Sequence, residues 1–415
     1  MKDGFIRKFD LSFIQEQLKE SFSNYREGYA ALELDAGFFR PDSILARDFS
    51  VLMAASQFQD QKRKKNLCWL DLMAGCGIRA LRWGLEATLI PSELKSSLKE
   101  VAIWVNDADF DRRSLMERNL RPLLKKEIAL VIKSDLAEVL LAKAFLDKCF
   151  FDLVDLDCFG SPNHLLQPVM KVLAHEGILM LSSTDARSPT GHDRLAAIRS
   201  LSASARTHPA AWEIGLRFQL AAVARQAWLL GRGIEPLASF SDGRTFRIYV
   251  RLKKRLSEKE ETQMGFLSRC EKCGAQSAQT LLKLAEWNKC RCSHGDQSLT
   301  INGPLWLGPL QSANFLAKTK KLYKATSLPI VEGSQKFIDR LMVDIGLPLF
   351  SWSANDLARR LALDSPPSLE FMIKSLRAEG YQAFRNAVVP GQFRTNAAVG
   401  ELLRICEGKF IEGFK

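Results

Sequence analysis

The stretch FDLVDLDCFGSP, Phe151–Pro162, decides how the chain is read. Phe151–Leu156 has the apolar weight of a buried strand, and it runs into an acid, Asp157, then a ring, Phe159, then Gly-Ser-Pro. In open α/β sheets ligands collect at the carboxyl ends of the strands. A strand ending this way puts a carboxylate and an aromatic face where a cofactor and a flat substrate can meet. Taken alone, the same residues also describe a buried strand closed by an N-cap Asp and a Gly-Pro turn. The sequence upstream separates the two readings.

Leu67–Glu86, LCWLDLMAGCGIRALRWGLE, reads as a buried strand, a turn containing Gly75 and Gly77, and a helix with apolar residues at Ile78, Leu81 and Leu85. The glycines let a ligand approach the backbone, and the helix start offers free N–H groups. A second strand, Val101–Val105, leads to Asp107, where an acid holding a ribose diol belongs. Its spacing from Gly77 is longer than the ~20 residues of the dinucleotide fingerprint. A third strand, Ala129–Ile132, leads to Ser134 and Asp135, placed to bond the edge of an adenine. No GxGxxG follows to cradle a pyrophosphate, so a nucleoside cofactor without phosphates, S-adenosylmethionine, fits better than NAD.

The alternation continues through a helix over Asn163–Ala174, a strand over Gly177–Ser183 and a mostly helical Asp193–Leu230. Thr245–Arg251 then alternates like an outer strand behind the turn Ser241-Asp242-Gly243. This βα order closed by a late strand implies an α/β fold, a doubly wound sheet of the class I, Rossmann-like kind with helices on both faces.

Composition narrows the partners. The chain has 415 residues, 47% of them hydrophobic, enough for two or three real cores and too apolar for disorder. Its 59 Lys and Arg against 47 Asp and Glu, net +12, point to a polyanion, because basic surfaces gain affinity for phosphate backbones by releasing counterions. No apolar run reaches the ~18 residues of a membrane span and no signal segment opens the chain, so a cytoplasmic protein with reduced thiols is expected. Nothing fixes an oligomeric state, and a monomer is expected. In Asn24–Val51, Tyr29–Leu34 alternates as a hairpin strand, and a turn through Phe38, Phe39, Arg40 and Pro41 leads into a helix near Ser43. Phe38 and Arg47 could line a base pocket there, or serve as core and surface cation.

Beyond residue 255 the character changes. Lys253–Gln263 reads as a charged linker or solvated helix, followed by Cys270-Glu-Lys-Cys273 and Cys290-Arg-Cys292. Two close cysteine pairs suit four thiolates around a structural, tetrahedral zinc, with His294 as a possible substitute for one of them. The helical patterns Gln335–Ile345, Ser353–Leu363 and Pro367–Glu379 resemble a winged helix-turn-helix. Arg359, Arg360, Lys374, Arg377, Arg385 and Arg394 favour nucleic acid as its partner. The expected division is 1–255, an S-adenosylmethionine-dependent domain to whose site residues 1–60 contribute, and 256–415, an α+β domain with the cysteine cluster over 270–292 and the winged-helix-like module over 334–415.

The ordered motifs NYREGYAALELDAGFFRPDSILARD, DLMAGCGIRALR, VNDAD, KSDL, DLDCFGSP, LSSTDARSPTG and NGPLWLGPL resemble the Trm-one family of tRNA (guanine-26-N2)-dimethyltransferases over nearly the whole chain. The resemblance implies transfer of one or two methyl groups from S-adenosylmethionine to N2 of guanine in tRNA, possible action on an adjacent guanine included. By position it implies cofactor contacts at Arg47, Arg79, Asp107, Asp135 and Leu136, beside the turn of Gly75 and Gly77. It makes Asp157 the catalytic acid, has Phe38 and Phe159 flank the target base, and adds weight to zinc at Cys270, Cys273, Cys290 and Cys292. One departure is Cys158, where the family usually has a proline, which would fix φ and remove an N–H. A methyltransferase of another nucleic-acid amine, in rRNA or DNA, and an inactive RNA-binding paralogue are the alternatives. The second would be expected to lose cofactor residues that this chain keeps.

Overall fold

The computed structural model describes residues 23–35, 39–59, 66–90, 100–126, 128–241 and 243–408. The chain divides into two compact units, residues 1–136 with 326–330 and residues 137–325 with 331–415. Among the described residues no helix is long and apolar enough to cross a membrane.

The first unit opens with the hairpin of β1 (Ser23–Glu27) and β2 (Ala30–Leu34), turned at Gly28 with φ of 55°. A Cβ on Gly28 would stand 2.3 Å from Glu86 Oε1, so glycine serves both the turn and the close approach. Then follow α1 (Ile44–Ser56), β3 (Leu67–Asp71), α2 (Ile78–Leu85), β4 (Val101–Asn106), α3 (Arg113–Leu124) and β5 (Ala129–Lys133). The three strands run parallel in the order β5-β4-β3. β3 is apolar almost throughout, and the fully buried Trp69 and Trp83 pack edge to face beside it. Arg82, also fully buried, ties hairpin and helices together by donating to Glu27, Asp48 and Glu86 at 2.7–2.9 Å. Buried charges are tolerable only when matched this fully.

The second unit begins with α4 (Ala137–Leu146), β6 (Phe151–Cys158), α5 (Leu166–Val172), β7 (Leu173–Ser183), α6 (Arg194–Leu201), α7 (Ala211–Trp228), β8 (Ile234–Ser241) and β9 (Phe246–Leu252). Their order is β6-β7-β9-β8, with β6 and β7 parallel and the later pairings antiparallel. The helix expected to reach Ala174 stops at Val172 and β7 starts earlier than Gly177. Glu176 at φ of 61° and a register shift opposite Phe151–Leu153 absorb the irregularity. β8 escaped the sequence reading because Pro236 interrupts its pattern, and the pairing shifts register there.

Next come β10 (Met264–Cys270), β11 (Gln276–Thr280), β12 (Cys290–Cys292), β13 (Gly295–Gln297) and β14 (Leu299–Trp306). β10, β11 and β14 form an antiparallel sheet, and β12 pairs with β13. The expected linker over 253–263 folds back instead: Glu260 is buried and accepts from Trp228 Nε1, Ile234 N and Ser257 N at 2.8–2.9 Å. After α8 (Ala313–Ala325) and α9 (Glu332–Val343), β15 (Ser351–Ser353), α10 (Ala354–Arg360), α11 (Leu369–Ala378), β16 (Ala383–Arg385), β17 (Gln392–Thr395) and α12 (Val399–Cys406) close the chain. The antiparallel sheet β15-β17-β16 and its helices enclose their own core of Trp352, Leu357, Met372, Leu376, Phe393 and Leu402. A buried cluster pins this core to α7: Arg394 donates to Glu213 at 2.8 Å and Asp344 at 2.7 Å, and Asn386 donates to Glu213 at 2.9 Å.

Candidate active site

In the first unit the strand ends are wired to one another. Gly75 and Gly77, at φ of 57° and 81°, shape the turn after β3, and a Cβ on Gly75 would meet no atom within 4 Å. The Gly75 N–H donates to Asp107 Oδ2 at 2.8 Å, and Asp109 N donates to Asp107 Oδ1 at 3.0 Å. The carboxylate is therefore aimed along the glycine turn with oxygen lone pairs to spare for a pair of hydroxyls. Asn106, buried and not singled out from sequence, holds the ends of β3 and β5: its amide donates to Leu72 O and Asp135 O and accepts from Asp135 N, all at 3.0–3.1 Å. That grip fixes the backbone at Asp135 and leaves Leu136 63% exposed, an apolar surface fit for the flat face of a base. Arg79 lies half-buried in the first turn of α2.

Arg47 is buried, and its guanidinium donates to Glu27 at 2.5–2.9 Å, Arg40 O at 2.9 Å and Pro41 O at 2.8 Å. Burial pushes the Glu27 carboxyl up, but Arg47 and Arg82 outweigh it and hold Glu27 below its ordinary value. Phe39 packs edge to face on Tyr25 and under Arg47. Phe38 lies outside the described residues.

In the second unit the register aligns three polar residues across neighbouring strands. Asp157 on β6 stands beside Ser182 on β7, and Ser182 beside Arg247 on β9. Arg247 Nη1 donates to Ser182 Oγ at 2.6 Å and reaches Asp157 Oδ2 at 3.4 Å. The Arg247 side chain is 4% exposed and that of Asp157 24%, so the cation lies beneath and the carboxylate looks outward. Sequence reading missed Arg247, although an arginine between Phe246 and Ile248 in a central strand needs a buried anion, which is a usable signal. Beyond Asp157 the chain turns at Gly160, φ 77°, whose N–H donates to Thr184 Oγ1 at 2.7 Å and whose carbonyl accepts from Thr184 N at 3.0 Å and Ser183 Oγ at 3.1 Å. This lashing presents Phe159, 73% exposed, at the lip of the strand end. Cys158 points inward, and burial, with Asp157 beside it, pushes its thiol up to about 11, so it stays protonated at neutral pH.

The thiols of Cys270, Cys273, Cys290 and Cys292 all lie within 4.8 Å of one another. Tetrahedral zinc with sulfur at about 2.3 Å needs thiolates roughly 3.8 Å apart, and Cys273 and Cys290 stand at 3.6 Å. The CxC spacing works because β12 is a strand, where alternate residues share a face. The four cysteines are a donor set that fits zinc, and His294 is not part of it.

Strand-end acids and a glycine turn on this α/β scaffold define a methyltransferase, and comparison with known proteins agrees. A solved structure of Trm1 from Pyrococcus horikoshii in complex with S-adenosyl-L-methionine shares the fold, with a TM-score of 0.76 and 24% identity over 92% of this chain and 99% of that one. The tRNA (guanine(26)-N(2))-dimethyltransferases of Thermococcus kodakarensis and Pyrococcus abyssi are 28% and 27% identical, over 89% and 87% of this chain and 92% and 90% of theirs. The model of the N2,N2-dimethylguanosine tRNA methyltransferase family matches residues 27–407, and the chain belongs to that family.

Proposed function

We propose that the protein transfers one or two methyl groups from S-adenosylmethionine to the exocyclic N2 of guanine 26 in tRNA. The observation that carries this reading is the family match over residues 27–407, supported by the row Asp157, Ser182, Arg247 at the strand end.

When bound, S-adenosylmethionine supplies an electrophilic methyl group. Asp107 takes its ribose hydroxyls, Gly75 and Gly77 allow close backbone approach, and Asp135 and Leu136 receive the adenine edge and face. Arg79 and Arg47 complete the cofactor side, Arg47 through the backbone of 40–41 that it braces. The guanine amine is a weak nucleophile because its lone pair is delocalised into the ring. Asp157 accepts an N2–H hydrogen bond, which orients the lone pair and favours loss of the proton as the new bond forms. Arg247 holds that carboxylate in place. Phe159, with Phe38, stacks on the extruded base and offsets a few kcal/mol of unstacking. Cys270, Cys273, Cys290 and Cys292 hold a structural zinc, and residues 334–415 form a winged helix within the C-terminal, tRNA-binding domain, 256–415.

The test is incubation of unmodified tRNA with the protein and labelled cofactor, followed by mass analysis of nuclease fragments of the tRNA and of its nucleosides. Mono- or dimethylated guanosine at position 26 is expected. Label in another base, or none with cofactor bound, overturns the reading.

A further inference from the structure

Away from the strand ends, the second unit contains two adjoining clefts of about 620 and 510 Å3 that share Thr207 and Glu271 as walls. Four arginines line them, Arg269 and Arg359 in one and Arg194 and Arg206 in the other, against two carboxylates, Glu271 and Asp356. Those carboxylates are already engaged: Arg269 bonds both at 2.8 Å, and Asp356 also receives Arg359 at 2.6 Å and Arg360 at 3.0 Å. Among the described residues no carboxylate pairs with Arg194 or Arg206. Pockets for small ligands are mostly apolar, and these walls are not. Arg194 and Arg206, without a carboxylate partner among the described residues, together with Arg359, whose side chain is 78% exposed though it shares Asp356, line a trough that matches a ligand presenting phosphates in series, which guanidinium groups can bond two oxygens at a time.

The location argues for the same occupant. Residues 184–210 leave β7 one residue beyond Ser182, the neighbour of Asp157, and their arginines enter the second cleft, while Arg359 extends the trough onto α10. Three of the cations that the sequence suggested for this task are spent within the protein. Arg394 is buried against Glu213 and Asp344. Arg360 donates to Glu271 O and Lys272 O at 2.6–2.7 Å, and Arg377 donates to Ala383 O at 2.8 Å.

The geometry points to the double cleft as the track that grips the sugar–phosphate backbone of the tRNA, an assignment that rests on the tRNA methyl-transfer reading above. The experiment compares the full-length protein with a variant carrying Arg194→Gln, Arg206→Gln and Arg359→Gln, measuring affinity for an unmodified tRNA transcript across a salt series beside affinity for S-adenosylmethionine. Each lost phosphate contact should make the slope of log K against log salt shallower by about 0.7–0.9, while cofactor affinity stays as in the parent. An unchanged slope overturns the assignment, as does a loss that appears only with Lys374→Gln and Arg385→Gln, which line neither cleft. Should the triple variant misfold, the parent protein still decides the matter. Bound tRNA should protect Arg194 and Arg206 from a dicarbonyl reagent, and undiminished modification under saturating tRNA counts against the track. A parent protein that neither binds nor methylates tRNA overturns the tRNA reading with it, whereas normal methylation with an unchanged slope overturns the track alone.

Discussion

Arg247 cannot reach the substrate side of Asp157 except through the carboxylate itself, because its guanidinium lies below, bonded to Ser182 at 2.6 Å and 3.4 Å from Asp157. The two residues therefore have separable effects. Asp157→Asn should abolish methyl transfer and leave S-adenosylmethionine affinity nearly unchanged, since its partner is the guanine amine; equal loss of both in calorimetry and single-turnover assays would move Asp157 to the cofactor side. Arg247→Gln should lower kcat more than it raises KM for tRNA, because Asp157 then loses the cation that positions it across the strands. A lowered Tm with kcat unchanged would leave Arg247 a purely structural residue. Asp107→Ala should instead weaken cofactor binding by about 1.5–3 kcal/mol, the usual range for a hydrogen bond to a charged group; unchanged affinity removes the ribose role. Asp157, Phe159, Gly75 and Asp107 could be found in the sequence because each sits where a strand pattern stops. Arg247 and Asn106 could not be found the same way, since their partners lie on other strands and only the register brings them together.

Among the elements, the cysteine hairpins show why spacing alone misjudges a site. CxC looks irregular beside CxxC until β12 is seen as a strand, which turns Cys290 and Cys292 to one side, while the turn after β10 brings Cys270 and Cys273 round with Gly274 at φ of 85°. The first pair ends the strand that carries Arg269, and Arg360 caps the same turn through Glu271 O and Lys272 O. Loss of metal should therefore loosen this corner of the second unit and not the chemistry at Asp157. The expected outcome is about one zinc per chain by elemental analysis and a lower Tm for Cys273→Ser or after chelation, with kcat at saturating substrates preserved in whatever remains folded. Zinc-free protein prepared without chelator, with a Tm indifferent to chelator, refutes it. The α/β alternation was legible because parallel strands buried on both faces read as apolar runs. β8 and the buried Glu260 were not, since a proline broke one pattern and charge disguised the other.

At the scale of the whole molecule, the helix-turn-helix pattern and basic side chains of residues 334–415 favour a nucleic-acid-docking module, and the buried cluster at α7 makes the same segment a brace packed on the rest of its unit. Glu213 sits 3% exposed within the helix 211–228, bonded by Arg217 from its own helix and by Arg394 and Asn386 from the C-terminal segment. Removing one side of such a buried set leaves an uncompensated charge and costs about 3–5 kcal/mol, against a total stability of about 5–15 kcal/mol for a typical domain. Deleting residues after 330 should accordingly give an unstable or insoluble chain and not a folded enzyme with a raised tRNA KM. Arg394→Ala in the full chain should lower the urea midpoint by a comparable energy, and adding Asp344→Asn should recover part of the loss, since Asp344 is the carboxylate left without a cation while Glu213 keeps Arg217. The pH dependence gives an independent check. Burial pushes the Glu213 carboxyl up, but Arg394 and Arg217 prevail and bring it down to about 2 from the ordinary 4.5. A carboxylate depressed on folding contributes stability that is complete above pH 4.5 and fades as pH falls toward 2. Asp344 in the same cluster is raised, chiefly by burial, and its slope runs the other way, so comparison with Glu213→Gln isolates the first effect. Urea melts between pH 7 and 3 should show the parent losing stability over the lower part of this range and Glu213→Gln losing less of it. A chain ending near residue 330 that folds with the parent's Tm would falsify the brace and return the C-terminal segment to the role of a separable module.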